Sequence, residues 1–232
     1  MMRAAPGDVV RSLIFYPVFY FGSFFYVAAA AALLAVGSPR YRDAVVGWSH
    51  YHRICVERIL LIKVVLEGEP PRGGFFYAIK HESFFEAIDL PWLLPNPVVF
   101  AKAGLLAIPL WGYAANSFGV VAVEREAGAS ALRAMLGAAR RLTAGGRPLA
   151  IFPEGTRIPH SEQVPLQAGF AGLYKLIGMP VIPVAVNSGP LYHRTWKRRG
   201  TITLRFGAPI PAGLPRAQVE AQVHAAINAL HT

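Results

Sequence analysis

Short apolar runs alternate along the chain with longer mixed segments, and the two patterns predict different elements. Lys63 to Glu67, Gly74 to Ile79, Pro97 to Ala101, Gly119 to Val123, Pro148 to Phe152, Pro180 to Val186 and Thr201 to Phe206 are brief and apolar, and glycine, proline or charge bounds them, which predicts strands. Leu132, Met135, Ala139 and Leu142 recur at helical spacing before Gly145, as do Val219, Val223, Ile227 and Leu230 further on, so both segments read as helices burying one apolar face. Strands alternating with helical stretches give an α/β class, a mixed sheet flanked by helices.

The N-terminal part follows a different pattern. No charge falls between Arg11 and Arg40, and Ser12 to Val36 is a 25-residue stretch of mostly Phe, Tyr, Ala, Leu and Val, long enough to span a bilayer. Its length and aromatic content differ from a signal-peptide core, so we read it as retained. The Phe and Tyr in its first half suit interfacial insertion as well as a span. Val45 to Leu66 mixes apolar residues with Trp48, His50, His52, Arg53, Glu57 and Arg58, predicting an amphipathic helix that leads to the first strand. Residues 1–66 are therefore expected to form a membrane-anchoring helical segment, and 67–232 the globular domain.

Composition adds a partner. Of 232 residues 54% are hydrophobic and the mean hydropathy is +0.38, while the formal charge is +10 and the pI about 10.1. A basic, apolar chain points to anionic membrane lipids, and no nucleic-acid-binding motif supports DNA or RNA as the partner. The single cysteine, Cys55, excludes an intrachain disulfide and reads as a packed thiol in a reducing compartment. The cluster Arg194-Thr195-Trp196-Lys197-Arg198-Arg199 reads as a solvated loop, or as a place where Lys197, Arg198 and Arg199 touch anionic headgroups.

Two stretches carry candidate chemistry. Lys80-His81-Glu82-Ser83-Phe84-Phe85-Glu86 follows a predicted strand, with Ser83 a plausible N-cap. Residues five apart lie about 140° apart on a helix, so His81 and Glu86 meet only if His81 precedes the helix and Glu86 is in its first turn. The carboxylate would then hold the ring in one tautomer and leave the other nitrogen free to take a proton from an alcohol. Alternatively, Ser83-Phe84-Phe85-Glu86 is a capping box and Glu86 folds back on a backbone amide. His81-Glu82 also begins an H-E-x-x-H zinc pattern, but Phe85 stands where the second histidine belongs. The second stretch, Pro153-Glu154-Gly155-Thr156-Arg157, combines a glycine, a hydroxyl and a guanidinium, groups that together hold a phosphate. The alternative is a surface turn with Glu154 and Arg157 paired.

In order and spacing these stretches resemble the motifs of the glycerolipid acyltransferase family, which includes bacterial lysophosphatidic acid acyltransferases, and the likeness covers most of the chain. Lys80 to Glu86 resembles the first motif, with the catalytic pair on His81 and Glu86, glutamate standing where aspartate is commoner. Gly119 to Arg125 resembles the second, which implies that Arg125 holds the acceptor's phosphate. Phe152 to Arg157 resembles the third and implies acceptor binding by Glu154, Gly155, Thr156 and Arg157, while Val181 to Val186 is similar to the fourth, an apolar strand with a central proline. Gln167-Ala168-Gly169 occupies a stretch where family members often carry a lysine. The resemblance implies transfer of a fatty acyl group from acyl-CoA or acyl-ACP to the free hydroxyl of 1-acyl-glycerol-3-phosphate, giving phosphatidic acid. Acylation of another lysolipid, such as a lyso-ornithine lipid, and a non-catalytic lipid-binding role stay open. No metal or bound cofactor is implied, the thioester being a co-substrate. Arg3 and Arg11 before the apolar stretch, with Arg40, Arg42, Arg53 and Arg58 after it, place the catalytic domain on the cytoplasmic side of a bacterial-type inner membrane.

Overall fold

The computed structural model describes residues 5–71, 73–124 and 128–231. Seven strands form one sheet: β1 (Ile62–Glu67), β2 (Phe76–Ile79), β3 (Val98–Lys102), β4 (Val120–Val123), β5 (Leu149–Ile151), β6 (Val181–Val186) and β7 (Gly200–Phe206), in the spatial order β1-β7-β6-β2-β5-β3-β4. Every neighbouring pair is parallel except β6 with β7. All seven expected strands are present, and the sheet is mixed, as the alternating pattern predicts.

β2 and β6 are buried at every position, which is why they read as unbroken apolar runs. Alternate residues of β2, β6 and the equally buried β5 serve two cores. Tyr77, Ile79, Ala150, Ile182 and Val184 face one layer with Phe15, Phe19, Val56, Phe85 and Leu90. Phe76, Ala78, Leu149, Ile151 and Val181 face the other, with Met135, Ala139, Phe170, Val219, Val223 and Ile227. The first layer comes from α1 (Pro6–Ala35), α2 (Tyr41–Arg58) and α3 (Phe84–Leu93); the second comes from α6 (Gly128–Thr143), α7 (Ala168–Ile177) and α9 (Arg216–Ile227). Short helices α4 (Ala103–Leu106), α5 (Trp111–Phe118) and α8 (Gly189–Tyr192) complete the chain order.

Pro183 sits inside β6, where its missing N–H would leave a gap in a regular ladder. The ladder breaks there. β7 pairs with Val184 to Val186, Gly207 N then donates to Pro183 O at 2.8 Å, and the isolated Val181–Ile210 bridge follows. Between them Gly207 passes the Pro183 ring so closely that a Cβ would lie 2.9 Å from its Cγ.

α1 is long and apolar enough to cross a membrane, about 45 Å end to end at 1.5 Å per residue. One face is packed on the protein: Phe15 and Phe19 join the sheet's core, and Tyr51 donates from its hydroxyl to Val18 O at 2.6 Å. At Gly22 a Cβ would lie 2.3 Å from the Tyr51 hydroxyl, so the two helices touch only because this residue has no side chain. The opposite face exposes Val10, Leu13, Ile14, Tyr20, Phe21, Phe24 and Phe25. The expected amphipathic helix ends at Arg58, not at Leu66, and Ile62–Glu67, which includes the first expected strand, pairs as β1 with β7. The expected boundary at 66/67 thus falls within β1.

Candidate active site

β2, β5, β3 and β4 run parallel side by side, so their carboxyl ends lie on one edge of the sheet, where open α/β folds place ligands. His81 leaves β2 at that edge, and the Pro153–Arg157 turn leaves the adjacent β5. Two backbone links lock them together. His81 N donates to Glu154 Oε2 at 3.3 Å, and Ile158 N donates to His81 O at 2.8 Å. The His81 ring stacks on Phe152, with centroids 4.0 Å apart.

Glu86 lies in the first turn of α3, as expected if it is to approach His81, and is 1% exposed. Its Oε1 accepts from Glu82 N at 2.8 Å and Ser188 Oγ at 2.8 Å, and its Oε2 accepts from Ser83 Oγ at 2.9 Å. Ser83 caps the helix through Phe85 N, so the capping box is present. Burial pushes the Glu86 carboxyl up to about 7, against the opposing pull of the Glu82 amide and of the Ser188 and Ser83 hydroxyls. Ser83 N also donates to both oxygens at 3.2 Å, so four donors converge on a carboxylate that offers about four lone-pair sites.

Within the Glu154–Arg157 turn the four residues divide. Glu154 is 1% exposed and points inward, its Oε1 accepting from Lys80 Nζ at 2.6 Å. Lys80 also donates to Asn228 Oδ1 at 2.9 Å and is fully buried. Neither a Glu154–Arg157 ion pair nor an outward-facing Glu154 is present; the carboxylate holds the turn and the His81 amide in place. Gly155 has φ +75°, and a Cβ there would come 2.7 Å from Gln167 Cγ, so the turn requires glycine. Thr156 and Arg157 are exposed, and the guanidinium lies over the Phe84 ring, 4.1 Å from its centroid. Arg125 lies outside the described residues.

Arg157 opens onto a groove of about 360 Å³ lined by Phe84, Tyr192, Arg194, Lys197 and, from α1, Tyr16. Lys197 is not a solvated loop residue: it is 8% exposed, donates from Nζ to Tyr192 O at 2.8 Å and lies 3.8 Å from the Tyr192 ring centroid. Burial lowers its ammonium to about 8, which leaves it predominantly charged at neutral pH. His193, beside the groove, is held below its usual value by burial and then by Arg157 and Lys197. Cys55 is buried among core side chains.

Lys80, Ser188, Tyr192 and the groove role of Arg194 were not anticipated from the sequence. Lys80 carried a signal: Phe76, Ala78 and Lys80 share one face of β2 by the two-residue period, and a lysine at an inward position needs a buried anion.

A model of the Acyltransferase family matches residues 62–187. The 1-acyl-sn-glycerol-3-phosphate acyltransferase of Pseudomonas aeruginosa is 27% identical over 215 residues, covering 88% of this chain and 82% of that one. The enzymes of the same name from Limnanthes alba (30% identical over 152 residues) and, in its beta form, from human (29% over 158) are matched over 65% and 66% of this chain. The chain spans only about half the length of these two relatives, 52% and 57%. The crystal structure of the 1-acyl-sn-glycerophosphate acyltransferase PlsC from Thermotoga maritima superposes with a TM-score of 0.74 at 21% identity, covering 96% of this chain and 97% of that one.

Proposed function

The chain belongs to the Acyltransferase family, and from that premise we propose that it moves a fatty acyl group from an acyl thioester, acyl-CoA or acyl-ACP, to the free hydroxyl of 1-acyl-glycerol-3-phosphate, giving phosphatidic acid. The observation that carries this reading is the pair of hydrogen bonds that tie the His81 backbone to the turn carrying Arg157, which itself lines a groove with two further cationic side chains, Arg194 and Lys197. A base next to an anion site is what acylation of a phosphorylated alcohol requires.

One ring nitrogen of His81 takes the hydroxyl proton as the oxygen attacks the thioester carbonyl, with Glu86 favouring the productive tautomer. The tetrahedral intermediate then expels the thiolate. The carbon–sulfur bond breaks, the ester carbonyl re-forms, and the imidazolium returns its proton to sulfur, so histidine is regenerated and a free thiol departs. Arg157 holds the phosphate by its bidentate fork, and Lys197 and Arg194 add charge. Glu154 positions the turn without touching substrate. In this reading α1 lies in the membrane interface, its exposed aromatic face in lipid, on the cytoplasmic side of a bacterial-type inner membrane.

Gln167 favours a second reading. It packs directly against Gly155 and brings no charge to the turn, which suits a lysolipid acceptor with a different headgroup, such as a lyso-ornithine lipid. Purified protein incubated with labelled acyl-CoA or acyl-ACP and a panel of lysolipids separates these cases. Labelled phosphatidic acid is expected. Preference for another lysolipid selects the second reading, and no transfer to any acceptor with either donor would leave only lipid binding.

A further inference from the structure

Glu82, next in the chain to His81, faces away from the groove into a cluster of its own. Its Oε1 receives two imidazoles: His160 Nδ1 at 2.8 Å and His231 Nε2 at 2.8 Å. Its Oε2 accepts from Gly189 N at 2.7 Å, which fixes the carboxylate's orientation. The two histidine rings lie 4.5 Å apart by their centroids. One nitrogen from each histidine and one carboxylate oxygen lie within 4.8 Å of one another. His160 belongs to the irregular stretch after the Arg157 turn, and His231 follows α9, so three distant parts of the chain converge here.

We propose that Glu82, His160 and His231 form a binding site for one borderline-soft divalent metal ion, with Zn²⁺ the best fit. Two imidazole nitrogens and one carboxylate oxygen are a zinc donor set, whereas Mg²⁺ and Ca²⁺ prefer oxygen. Metal–ligand bonds of about 2.0–2.1 Å at tetrahedral angles hold donor atoms about 3.3 Å apart. The N···O separations of 2.8 Å therefore need to open by only about 0.5 Å. The two ring nitrogens now facing Glu82 must present lone pairs, so each neutral ring carries its proton on the other nitrogen, and any imidazolium releases one proton to solvent on binding. The carboxylate already has the outer partner that metal ligands characteristically use, the Gly189 amide. Lys80 is close enough to disfavour a cation, but its charge is matched by Glu154 at 2.6 Å. Glu82 is fully buried and the His231 side chain is 5% exposed, while that of His160 is 27% exposed, so the ion enters past His160 and a water completes its coordination.

The consequence is mechanical. The ion joins the residue following His81 to the loop following Arg157 and to the segment beyond α9, clamping both candidate motifs from behind. It takes no part in acyl transfer.

The test uses the full chain purified with a tag that contains no histidine, stripped with chelator and titrated calorimetrically with Zn²⁺. Expected are one ion per chain, visible tetrahedral absorption when Co²⁺ replaces Zn²⁺, and no competition from excess Mg²⁺. At Zn²⁺ about a hundredfold above Kd the melting temperature should rise by about 5–10 °C. His160→Ala, the more exposed ligand and so the variant that best preserves the fold, should weaken binding at least a hundredfold, and His160→Ala with His231→Ala should abolish it. Absence of stoichiometric Zn²⁺ binding in the unaltered chain would overturn the proposal without reference to any variant. Equal competition by Mg²⁺, or unchanged binding in the double variant, would overturn it as well. Every readout is independent of acyl transfer.

Discussion

Replacing Lys80 by methionine tests the internal support of the candidate site. The ammonium is fully buried and lies 2.6 Å from Glu154 Oε1, so at an effective dielectric of about 20 the gross attraction is about 6 kcal/mol. Desolvation of both groups offsets much of that, but removal of one partner leaves the other charge stranded, which costs about 3–5 kcal/mol. Against a total stability of about 5–15 kcal/mol that is a large loss. Burial already raises the Glu154 carboxyl, with Lys80 opposing; without Lys80 it rises further. An acid with a raised folded value binds its proton more tightly when folded, so stability falls as pH rises from the unfolded value toward the folded one. The Lys80→Met penalty should therefore be larger at pH 8 than at pH 5. Adding Glu154→Leu removes the stranded charge and leaves one buried amide, His81 N, without its acceptor, a cost of about 1–3 kcal/mol. The double variant should thus be more stable than Lys80→Met alone, although two residues have been changed. Urea unfolding in detergent at both pH values, followed by tryptophan fluorescence, measures all of this. A Lys80→Met loss under about 1 kcal/mol, or additive losses in the double variant, would refute the argument that this ion pair holds the turn.

Three further outcomes follow from particular contacts. Glu86→Gln keeps the size and loses the charge, so kcat should fall at least a hundredfold if Glu86 orients His81, and barely change if it only caps α3. Because burial raises Glu86 from 4.5 to about 7, the native protein should lose about 3 kcal/mol of stability as pH rises across that window, and Glu86→Gln should flatten the profile in denaturant titrations. Gly155→Ala places a Cβ 2.7 Å from Gln167 Cγ at φ +75°, so chemical denaturation should show a loss of about 1–3 kcal/mol, and adding Gln167→Ala should recover part of it; no loss would mean the turn relaxes freely. On α1, Phe21, Phe24 and Phe25 are exposed, and changing all three to serine should cut partition into anionic liposomes at least a hundredfold in a sedimentation assay while leaving the circular dichroism unaltered; unchanged partition would place the membrane face elsewhere.

The three central strands, β2, β5 and β6, were legible because they are buried along their whole length, and the other four because glycine, proline or charge bounds a short apolar run. Their order was not. Parallel neighbours such as β2 and β5 are joined by no local turn, and the antiparallel pairing of β6 with β7 leaves no mark on either segment. The end of α2 was hidden because Ile59 to Ile62 continues the apolar pattern into β1, and only the backbone at Leu61, φ +54°, shows where the helix has stopped. In the site, His81 and the Gly155 turn could be read from local chemistry. Glu154 was read as facing an acceptor because its partner, Lys80, lies 74 residues away, a separation at which no sequence spacing constrains contact. Glu82 was hidden for the same reason: its histidines come from positions 160 and 231, not from the helical spacing that the H-E-x-x-H pattern inspects.

The relation of α1 to the groove bears on how a lipid acceptor reaches the base. Ser12 Oγ accepts from Lys197 N at 2.8 Å, and the Tyr16 hydroxyl donates to Thr195 O at 2.6 Å, so the helix with the exposed aromatic face also forms a wall of the cationic groove. Its other side supplies Phe15 and Phe19 to the core under the sheet. A helix fixed on the body from Ser12 to Ser23 cannot tilt away to cross a bilayer by itself, since that would expose those rings and unmake the groove. On the proposed function, lying in the interface would satisfy both sides at once. The apolar face would enter the acyl-chain region and the groove would open at headgroup depth, so that an acceptor's phosphate would meet Arg157 and Lys197 while its chain stays in the membrane. Residues 6–58 thus wall the groove and fill one core layer as well as presenting the apolar face, so the unit that folds is the whole sandwich.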